Sequence, residues 1–273
     1  MRAMIVDFHT HVYPESRAAK ILPDVSRRAG IPCYSDGTTQ GLLASMAEAG
    51  VDVSVISRIA VHAAQVDNVH QWLLQQNSPG IVPLATAHPK TPVTSAWVRS
   101  IKTQGFKGFK LHPDYQNFFA DDRQMYPFYE AAQHEGMPVL FHAGLDRGLP
   151  PPVHATPKRL STVHNDFPQL VMVAAHMGGE NNYDETEQYL LGNEVYLDTS
   201  FVLREMPLNT LKRFLHRHST DRILFGSDSP FKAQSEELNF FLSLPFLSME
   251  EKEKIAGRNA VSLLGLQTDN SSR

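Results

Sequence analysis

Short apolar runs alternate along the chain with longer segments of helical periodicity. The apolar runs that predict strands cover residues 5–8, 51–57, 81–87, 106–111, 138–141, 170–175, 195–198 and 222–225. The segments that predict helices cover residues 40–49, 66–76, 93–104, 123–135, 157–166, 183–191, 208–218, 236–244 and 250–264. Continuous apolar runs bounded by turn residues are typical of parallel strands that are buried on both faces. The pattern therefore predicts eight strand–helix units in strict alternation.

The predicted fold is a single α/β domain, a closed (β/α)8 TIM barrel over residues 1–266 with an additional C-terminal helix. Eight parallel units in 273 residues match the size of this barrel. The alternative, an open doubly wound sheet, needs a Gly-x-Gly-x-x-Gly turn after the first strand, where this chain has His-Thr-His-Val-Tyr-Pro. Residues 12–38 are expected to form a long loop that is a lid or wall of the site, and residues 267–273 a polar tail.

Composition narrows the class of protein. A net charge of -4 does not suggest a nucleic-acid partner. No apolar run approaches the roughly 18 residues that span a membrane, and Met1-Arg2 leads into the first strand without a signal peptide. The one cysteine, Cys33, fits a reducing compartment. We therefore expect a cytoplasmic protein that acts on a small molecule, with a homodimer as the commonest oligomer.

Histidines collect where the predicted strands end. His9 and His11 follow the first strand one residue apart, so their rings point to the same side. Taken alone, such a pair indicates either the start of a transition-metal site or an exposed pair at a strand end. His142 and His176 close the fifth and sixth strands, and Asp228 follows the eighth. Because a barrel gathers its strand ends at one face, these positions together favour a metal site.

The combination of His-x-His on the first strand, a histidine closing the fifth and sixth strands and an aspartate after the eighth resembles the amidohydrolase superfamily of metal-dependent barrel hydrolases. Within it, the chain is similar to the branch related to amino-carboxymuconate-semialdehyde decarboxylase, amidohydrolase family 2. The resemblance covers nearly the whole chain. It implies one divalent metal, usually zinc, held by His9, His11, His142 and Asp228. It also implies that His176 is a catalytic general base or electrostatic group rather than a ligand. The chemistry of a catalytic metal site supports this division, because Asp228 could bind the metal and also accept the proton of the attacking water.

Lys110 on the fourth strand leaves the number of metals open. In other branches of the superfamily, a lysine on this strand is carbamylated and bridges two metals. The alternative is an unmodified cation that binds substrate or pairs with Asp228, and the resemblance to the single-metal branch favours it. His112 follows two residues later, so it shares the face of Lys110 and is either a substrate contact or a hydrogen-bonded residue of the loop wall.

Several cations follow strands or lie on loops at the same face, namely Arg58, Lys110, Arg147 and Arg204. Each of these four cations, taken alone, is interpreted as a solvated charge on a loop. If two or more converge, the pocket suits a substrate that carries a carboxylate. Arg58 is therefore grouped with Lys110 and His112 as a candidate substrate-binding residue.

Two reactions fit the predicted ligands. The first is hydrolysis of an amide, ester or lactone by metal-activated water. The second is non-oxidative decarboxylation of an unsaturated or aromatic carboxylic acid, so that the enzyme would be a carboxy-lyase. Both use the same ligands, and hydrolysis is only modestly favoured. A binding protein with a vestigial barrel is disfavoured, because degeneration would be expected to lose at least one ligand and none is missing.

Overall fold

The computed structural model describes residues 3–267, which contain eight parallel strands in the order β1 to β8. The strands are β1 (Val6–His11), β2 (Val53–Ser57), β3 (Ile81–Thr86), β4 (Phe109–Leu111), β5 (Val139–Phe141), β6 (Met172–Ala174), β7 (Tyr196–Asp198) and β8 (Ile223–Leu224). Each pairs in parallel with the next strand along the chain. The eight predicted strands are confirmed, with boundaries that differ by up to three residues.

Hydrogen bonds between the first and last strands bring the two edges of the sheet together. The Phe8 amide donates to the Phe225 carbonyl at 2.8 Å, and the Asp228 amide donates to the His9 carbonyl at 2.9 Å. Apolar side chains from most of the strands, among them Val6, Phe8 and Leu224, form one buried cluster. This arrangement confirms the predicted (β/α)8 barrel and places the strand ends around one opening.

The helices surround the barrel. They are α1 (Glu15–Ala29), α2 (Thr39–Ala49), α3 (Val66–Leu74), α4 (Ser95–Thr103), α5 (Pro113–Gln116), α6 (Tyr126–His134), α7 (Pro157–Asp166), α8 (Tyr183–Tyr189), α9 (Leu208–Arg217), α10 (Gln234–Ser243), α11 (Met249–Glu253) and α12 (Asn259–Leu264). Short 3-10 turns cover Ala63–Gln65, Arg123–Met125, His176–Gly178 and Thr220–Arg222. Within the described part of the chain, no helix is long and apolar enough to cross a membrane. The expected homodimer and cytoplasmic location stay predictions.

The long loop predicted for residues 12–38 is wrong over its middle part, where the structure has the 15-residue helix α1. This helix contains Pro23, and its buried residues are Ala18 and Leu22, so its apolar signal is weak. Gly30 ends it in a left-handed conformation with a φ of 66°, which is a common helix terminus. As expected of this segment, α1 forms one wall of the cavity described below.

The additional C-terminal helix is present but interrupted. One π-helical turn, Lys254–Arg258, separates α11 from α12. At this turn the backbone of Gly257 lies against β1, since a Cβ atom at residue 257 would be 1.8 Å from the Met4 carbonyl oxygen. Ala260 and Leu264 of α12 pack into the barrel cluster and cover one end of it. The predicted polar tail lies outside the described residues except for Gln267.

Candidate metal centre

The strand ends open into a cavity of about 790 Å³. Every residue predicted from the sequence for the site contributes to its lining, namely His9, His11, Arg58, Lys110, His112, His142, His176 and Asp228. Because β1, β4, β5, β6 and β8 all end at this opening, side chains more than a hundred residues apart in sequence meet there. The volume suits a small molecule.

Three of the predicted ligands form one tight group. His9, His11 and Asp228 each offer a ligand atom, and the three atoms lie within 4.8 Å of one another. The Oδ1 atom of Asp228 is 3.0 Å from His11 Nε2 and 3.4 Å from His9 Nε2. Burial raises the pKa of Asp228. The hydrogen bond with His11 and, at the acid pH where a carboxyl titrates, the positive charges of His9 and His11 outweigh burial and hold this pKa well below its usual range. Asp228 is therefore an ionised carboxylate.

Asp198, at the end of β7, fixes the orientation of His9. Its Oδ2 atom accepts a hydrogen bond from His9 Nδ1 at 2.8 Å. Its Oδ1 atom accepts bonds from the amides of His176 and Ser200, both at 3.0 Å, and from the Ser200 hydroxyl. Because the His9 proton is held on Nδ1, the lone pair of Nε2 is directed at the group with Asp228. Burial lowers the pKa of His9 to about 4, with Lys110 the next cause, so its ring is neutral.

Sequence reasoning missed Asp198 as a site residue. The signal was available, because Asp198 closes a predicted strand at the same face as the histidines. Burial raises the pKa of this carboxyl. At the acid pH where a carboxyl titrates, the protonated His9 ring and its hydrogen bond to Asp198 outweigh burial and hold the pKa well below the usual range.

A second chain of hydrogen bonds orients His142. The Nδ1 atom of His176 lies 3.0 Å from the Ser200 carbonyl oxygen, which can only accept, so Nδ1 carries the proton. His176 Nε2 is then an acceptor for the Nδ1 proton of His142, at 3.1 Å. His142 Nε2 is left with a lone pair, and this buried atom has no hydrogen-bond partner within residues 3–267.

The fourth predicted ligand, His142, belongs to an adjoining group rather than to that of His9. Its ligand atom lies within 4.8 Å of those of His112 and Asp146. The rings of His112 and His142 stack with centroids 4.0 Å apart and planes inclined by 9°. The nitrogen lone pairs of His112 and His142 lie in the planes of these parallel rings and therefore do not converge on one point. This geometry disfavours binding of one ion by both rings. Burial holds the pKa of both histidines well below the ordinary value, so both rings are neutral.

Lys110 lies inside the site. Its Nζ atom is 2.8 Å from His9 Nε2, and the residue is 1% exposed. Burial lowers the pKa of Lys110 to about 8, although Asp198 and Asp228 act in the opposite direction. The amine donates to the lone pair that His9 would offer to a metal, so the two compete for one atom.

The other predicted cations differ in their partners. Arg147 donates to Glu180 at 2.6 Å and also to Glu205, so its charge is compensated. Arg204 pairs with Glu236 on α10. Arg58 instead lies over the ring of Trp72, with 5.4 Å between its guanidinium carbon and the ring centroid. Arg58, Lys110 and Arg147 all line the cavity, and Arg204 is not among the lining residues.

The donor set fits a divalent transition metal. His9 and His11 can each offer an imidazole nitrogen, that of His9 once the Lys110 amine no longer donates to it, and Asp228 offers an ionised oxygen. These are ligands that zinc and similar ions take. The Ser57 hydroxyl donates to the Thr10 carbonyl, so its oxygen can accept the Nδ1 proton of His11 at 3.3 Å. In this tautomer the Nε2 atom of His11 has a lone pair for a metal. His142 Nε2 is a further buried nitrogen without a partner in the described chain.

Asp228 and His176 also have unusual backbones. Their φ values are 75° and 57°, in the left-handed region that residues other than glycine rarely adopt. Such conformations cost free energy and cluster at functional sites. In Asp228, this conformation accompanies the hydrogen bond from its amide to the His9 carbonyl.

An eight-stranded barrel whose strand ends carry imidazoles and carboxylates that could bind a metal ion is typical of metal-dependent TIM-barrel enzymes. A sequence profile described as Amidohydrolase matches residues 6–266. The chain therefore belongs to the amidohydrolase family, whose members are enzymes, and the resemblance seen in the sequence is confirmed. Among curated proteins, no sequence matches this chain closely enough to count as a relative.

Solved structures share the fold at low sequence identity. The 5-carboxyvanillate decarboxylase of Sphingomonas paucimobilis is 15% identical, with a TM-score of 0.70 over 97% of this chain and 100% of that one. A Pseudomonas putida protein described as a 2-pyrone-4,6-dicarboxylic acid hydrolase is 16% identical, with a TM-score of 0.71 over 98% and 100%. A Polaromonas dihydroxybenzoic acid decarboxylase with bound manganese is 17% identical, with a TM-score of 0.70 over 100% of both chains.

Proposed function

We propose that this protein is a metal-dependent hydrolase that cleaves an amide, ester or lactone bond of a small molecule. The observation that carries the proposal is the convergence of His9, His11 and Asp228 at the cavity, with the His9 proton held away from it by Asp198. Neutral imidazoles and an ionised carboxylate are the protonation states that metal binding requires.

One divalent ion, with zinc the best fit to nitrogen and oxygen donors, would be held by His9, His11 and Asp228. His142 is the predicted fourth ligand, and its unpartnered Nε2 atom, which lies outside that group of three here, would have to move toward the ion. When bound, such an ion supplies Lewis acidity and lowers the pKa of water. A second ion with a carbamylated Lys110 is the less favoured arrangement, because Lys110 is a cation hydrogen-bonded to His9 here.

The chain's own residues would handle the proton. Asp228 is ionised and lies at the cavity, so its carboxylate can accept the proton of an attacking water. His176 is proposed as a catalytic general base or electrostatic group, and it also holds His142 in one tautomer. Lys110, His112 and Arg58 line the same space and are proposed to contact the substrate.

Decarboxylation of an unsaturated or aromatic carboxylic acid is the second candidate. The observation in its favour is that the structures with this fold include decarboxylases, among them those of 5-carboxyvanillate and of dihydroxybenzoic acid. In this reaction a proton replaces CO2 on the substrate carbon. The same cavity and the same ligands serve both reactions, so the substrate rather than the ligand set separates them.

A substrate screen tests the proposal. Lactones, esters and amides are compared with hydroxybenzoates, with acid release and CO2 release as the two readouts. We expect acid release that is abolished in Asp228→Asn and unchanged in His216→Ala, because His216 is exposed on α9. CO2 release without hydrolysis would replace the proposal with the second candidate. Full activity in Asp228→Asn would contradict both.

A further inference from the structure

Strand β1 is irregular directly before its first histidine, His9. Asp7 pairs with Ser54 of β2 and Thr10 with Ile56, so three steps along β1 match two steps along β2. The two residues between Asp7 and Thr10 have no partner in this register. An extra residue of this kind is a β-bulge, which interrupts the ladder and changes the direction in which the following side chains point.

The bulge accounts for two consecutive side chains of β1 that both face the inside of the barrel. Phe8 packs in the apolar cluster there, and His9 lies 2.8 Å from the amine of Lys110 on β4. In a regular strand, His9 would share the face of Asp7. The Asp7 carboxylate, however, lies toward the surrounding helices, 2.8 Å from Gln234 Nε2 at the start of α10. The bulge therefore directs His9 into the cavity.

The buried carboxylate of Asp7 connects this bulge to the segment after β8. Its Oδ1 atom accepts hydrogen bonds from the His9 amide at 3.2 Å and from the Ser227 amide at 2.9 Å. Its Oδ2 atom accepts bonds from the Ser227 hydroxyl at 2.5 Å and from Gln234 Nε2 at 2.8 Å. One side chain thus fixes both the backbone of His9 and the residue that precedes Asp228.

Ser227 in turn holds the backbone around Asp228. Its hydroxyl oxygen accepts a hydrogen bond from the Ser229 amide at 3.0 Å, while its proton is donated to Asp7. This bond spans Asp228, whose φ of 75° lies in the left-handed region. A strained conformation persists only where the surrounding contacts fix it. Ser227 supplies such a contact, and Asp7 fixes both its amide and its hydroxyl.

We propose that Asp7 is a positioning residue for the metal centre. It holds the bulge that directs His9 into the cavity and, through Ser227, the turn that presents Asp228. Its action differs from that of Asp198, which accepts a bond from the His9 ring, because Asp7 acts on the backbone of the ligands. The inference rests on the proposed function, since it assumes that His9 and Asp228 bind the ion.

Matched variants separate this role from a contribution to stability alone. Asp7→Leu removes both acceptor oxygens, whereas Asp7→Asn keeps one oxygen that can face the two backbone amides. Ser227→Ala removes only the hydroxyl. Ser54→Ala is the control, because the buried Ser54 accepts a bond from Gln234 Nε2 at 3.0 Å but has no hydrogen bond to His9 or Ser227 within the described chain.

The zinc and manganese affinities of metal-free protein are measured by competition with a chelator, after circular dichroism has shown that each variant is folded. We expect Asp7→Leu and Ser227→Ala to bind about tenfold or more weakly than the wild type, as is typical when a partner that orients metal ligands is lost. Asp7→Asn should recover most of the affinity that Asp7→Leu loses. Ser54→Ala should bind within about twofold of the wild type.

Urea unfolding of the metal-free variants gives the contrast with a structural role. A residue that contributes only to stability would lower the urea midpoint and leave the metal affinity of the folded protein unchanged. If Asp7→Leu does not fold, the comparison of Ser227→Ala with Ser54→Ala decides, because each removes one buried hydroxyl from the same hydrogen-bonded group.

Equal metal affinity in Asp7→Leu, Ser227→Ala and a wild type that binds the ion would overturn the positioning role alone. An equal loss in Ser54→Ala and Ser227→Ala would also overturn it. The assay needs no turnover, so a protein that shows the expected affinities but hydrolyses no substrate would lose the proposed hydrolase activity and keep the role of Asp7. A wild type that binds neither ion would overturn both proposals.

Discussion

Asp198→Asn tests the orientation of the metal ligands. In the wild type, one carboxylate oxygen accepts three hydrogen bonds, from the His176 amide and from the amide and hydroxyl of Ser200. The other oxygen accepts the Nδ1 proton of His9. An asparagine must keep its oxygen toward the three donors, so its NH2 group faces His9.

The consequence is a change of tautomer. The asparagine NH2 can only donate to His9 Nδ1, so the His9 proton moves to Nε2 and the lone pair directed at Asp228 is lost. Loss of a carboxylate that orients a ligating histidine typically weakens metal binding about 10- to 100-fold, or roughly 1.4–2.8 kcal/mol. We expect this loss in the zinc and manganese affinities of Asp198→Asn, measured by competition with a chelator.

Asp114→Asn is the matched control. Asp114 is also a largely buried aspartate that accepts a histidine Nδ1 contact, from His154 at 2.9 Å, but it lies away from the metal group. Its replacement should leave metal affinity within about twofold of the wild type. Equal metal affinity in Asp198→Asn and the wild type would refute the view that Asp198 sets the tautomer of His9.

Two further predictions concern stability. Burial raises the pKa of Glu237 from 4.5 to about 7, so the loss of folding stability caused by its ionisation grows as the pH rises from about 4.5 to 7 and is constant above pH 7. In urea unfolding, Glu237→Gln should therefore be more stable than the wild type by about 3 kcal/mol at pH 8 and equally stable near pH 4.5. Equal stability at pH 8 would count against a buried, ionised Glu237. Gly257→Ala should destabilise the fold by about 2 kcal/mol or more, because its Cβ would lie 1.8 Å from the Met4 carbonyl oxygen. The control Ser262→Ala, on the next helix, should change the urea midpoint little. An unchanged urea midpoint in Gly257→Ala would contradict the close approach of residue 257 to Met4.

The alternation of apolar runs was sufficient to predict the barrel, because each parallel strand is buried on both faces and so shows in the local sequence. Helix α1 escaped prediction for the opposite reason. It forms a wall of the cavity, buries only Ala18 and Leu22 among its described residues, and contains Pro23. The break in the last helix was not predicted either. It lies where Gly257 approaches Met4, which is more than 250 residues away in the chain and so does not show in the local pattern.

The site was predictable where residue type and strand position agreed, as for His9, His11 and Asp228. The hydrogen bonds and ion pairs of these side chains were not predictable. The hydrogen bond from Lys110 to His9 depends on how the fourth strand faces the first across the barrel. The difference between Arg58, which has no acidic partner within residues 3–267, and Arg147, which has two, appears only when the loops are in place.

Metal analysis of the purified protein tests the central claim most directly. We expect about one divalent ion per chain in the wild type and loss of that ion in His9→Ala, with the unmodified mass of Lys110 in both. Retention of the ion in His9→Ala would contradict the assigned site. Two ions per chain together with a carbamylated Lys110 would contradict the single-metal centre.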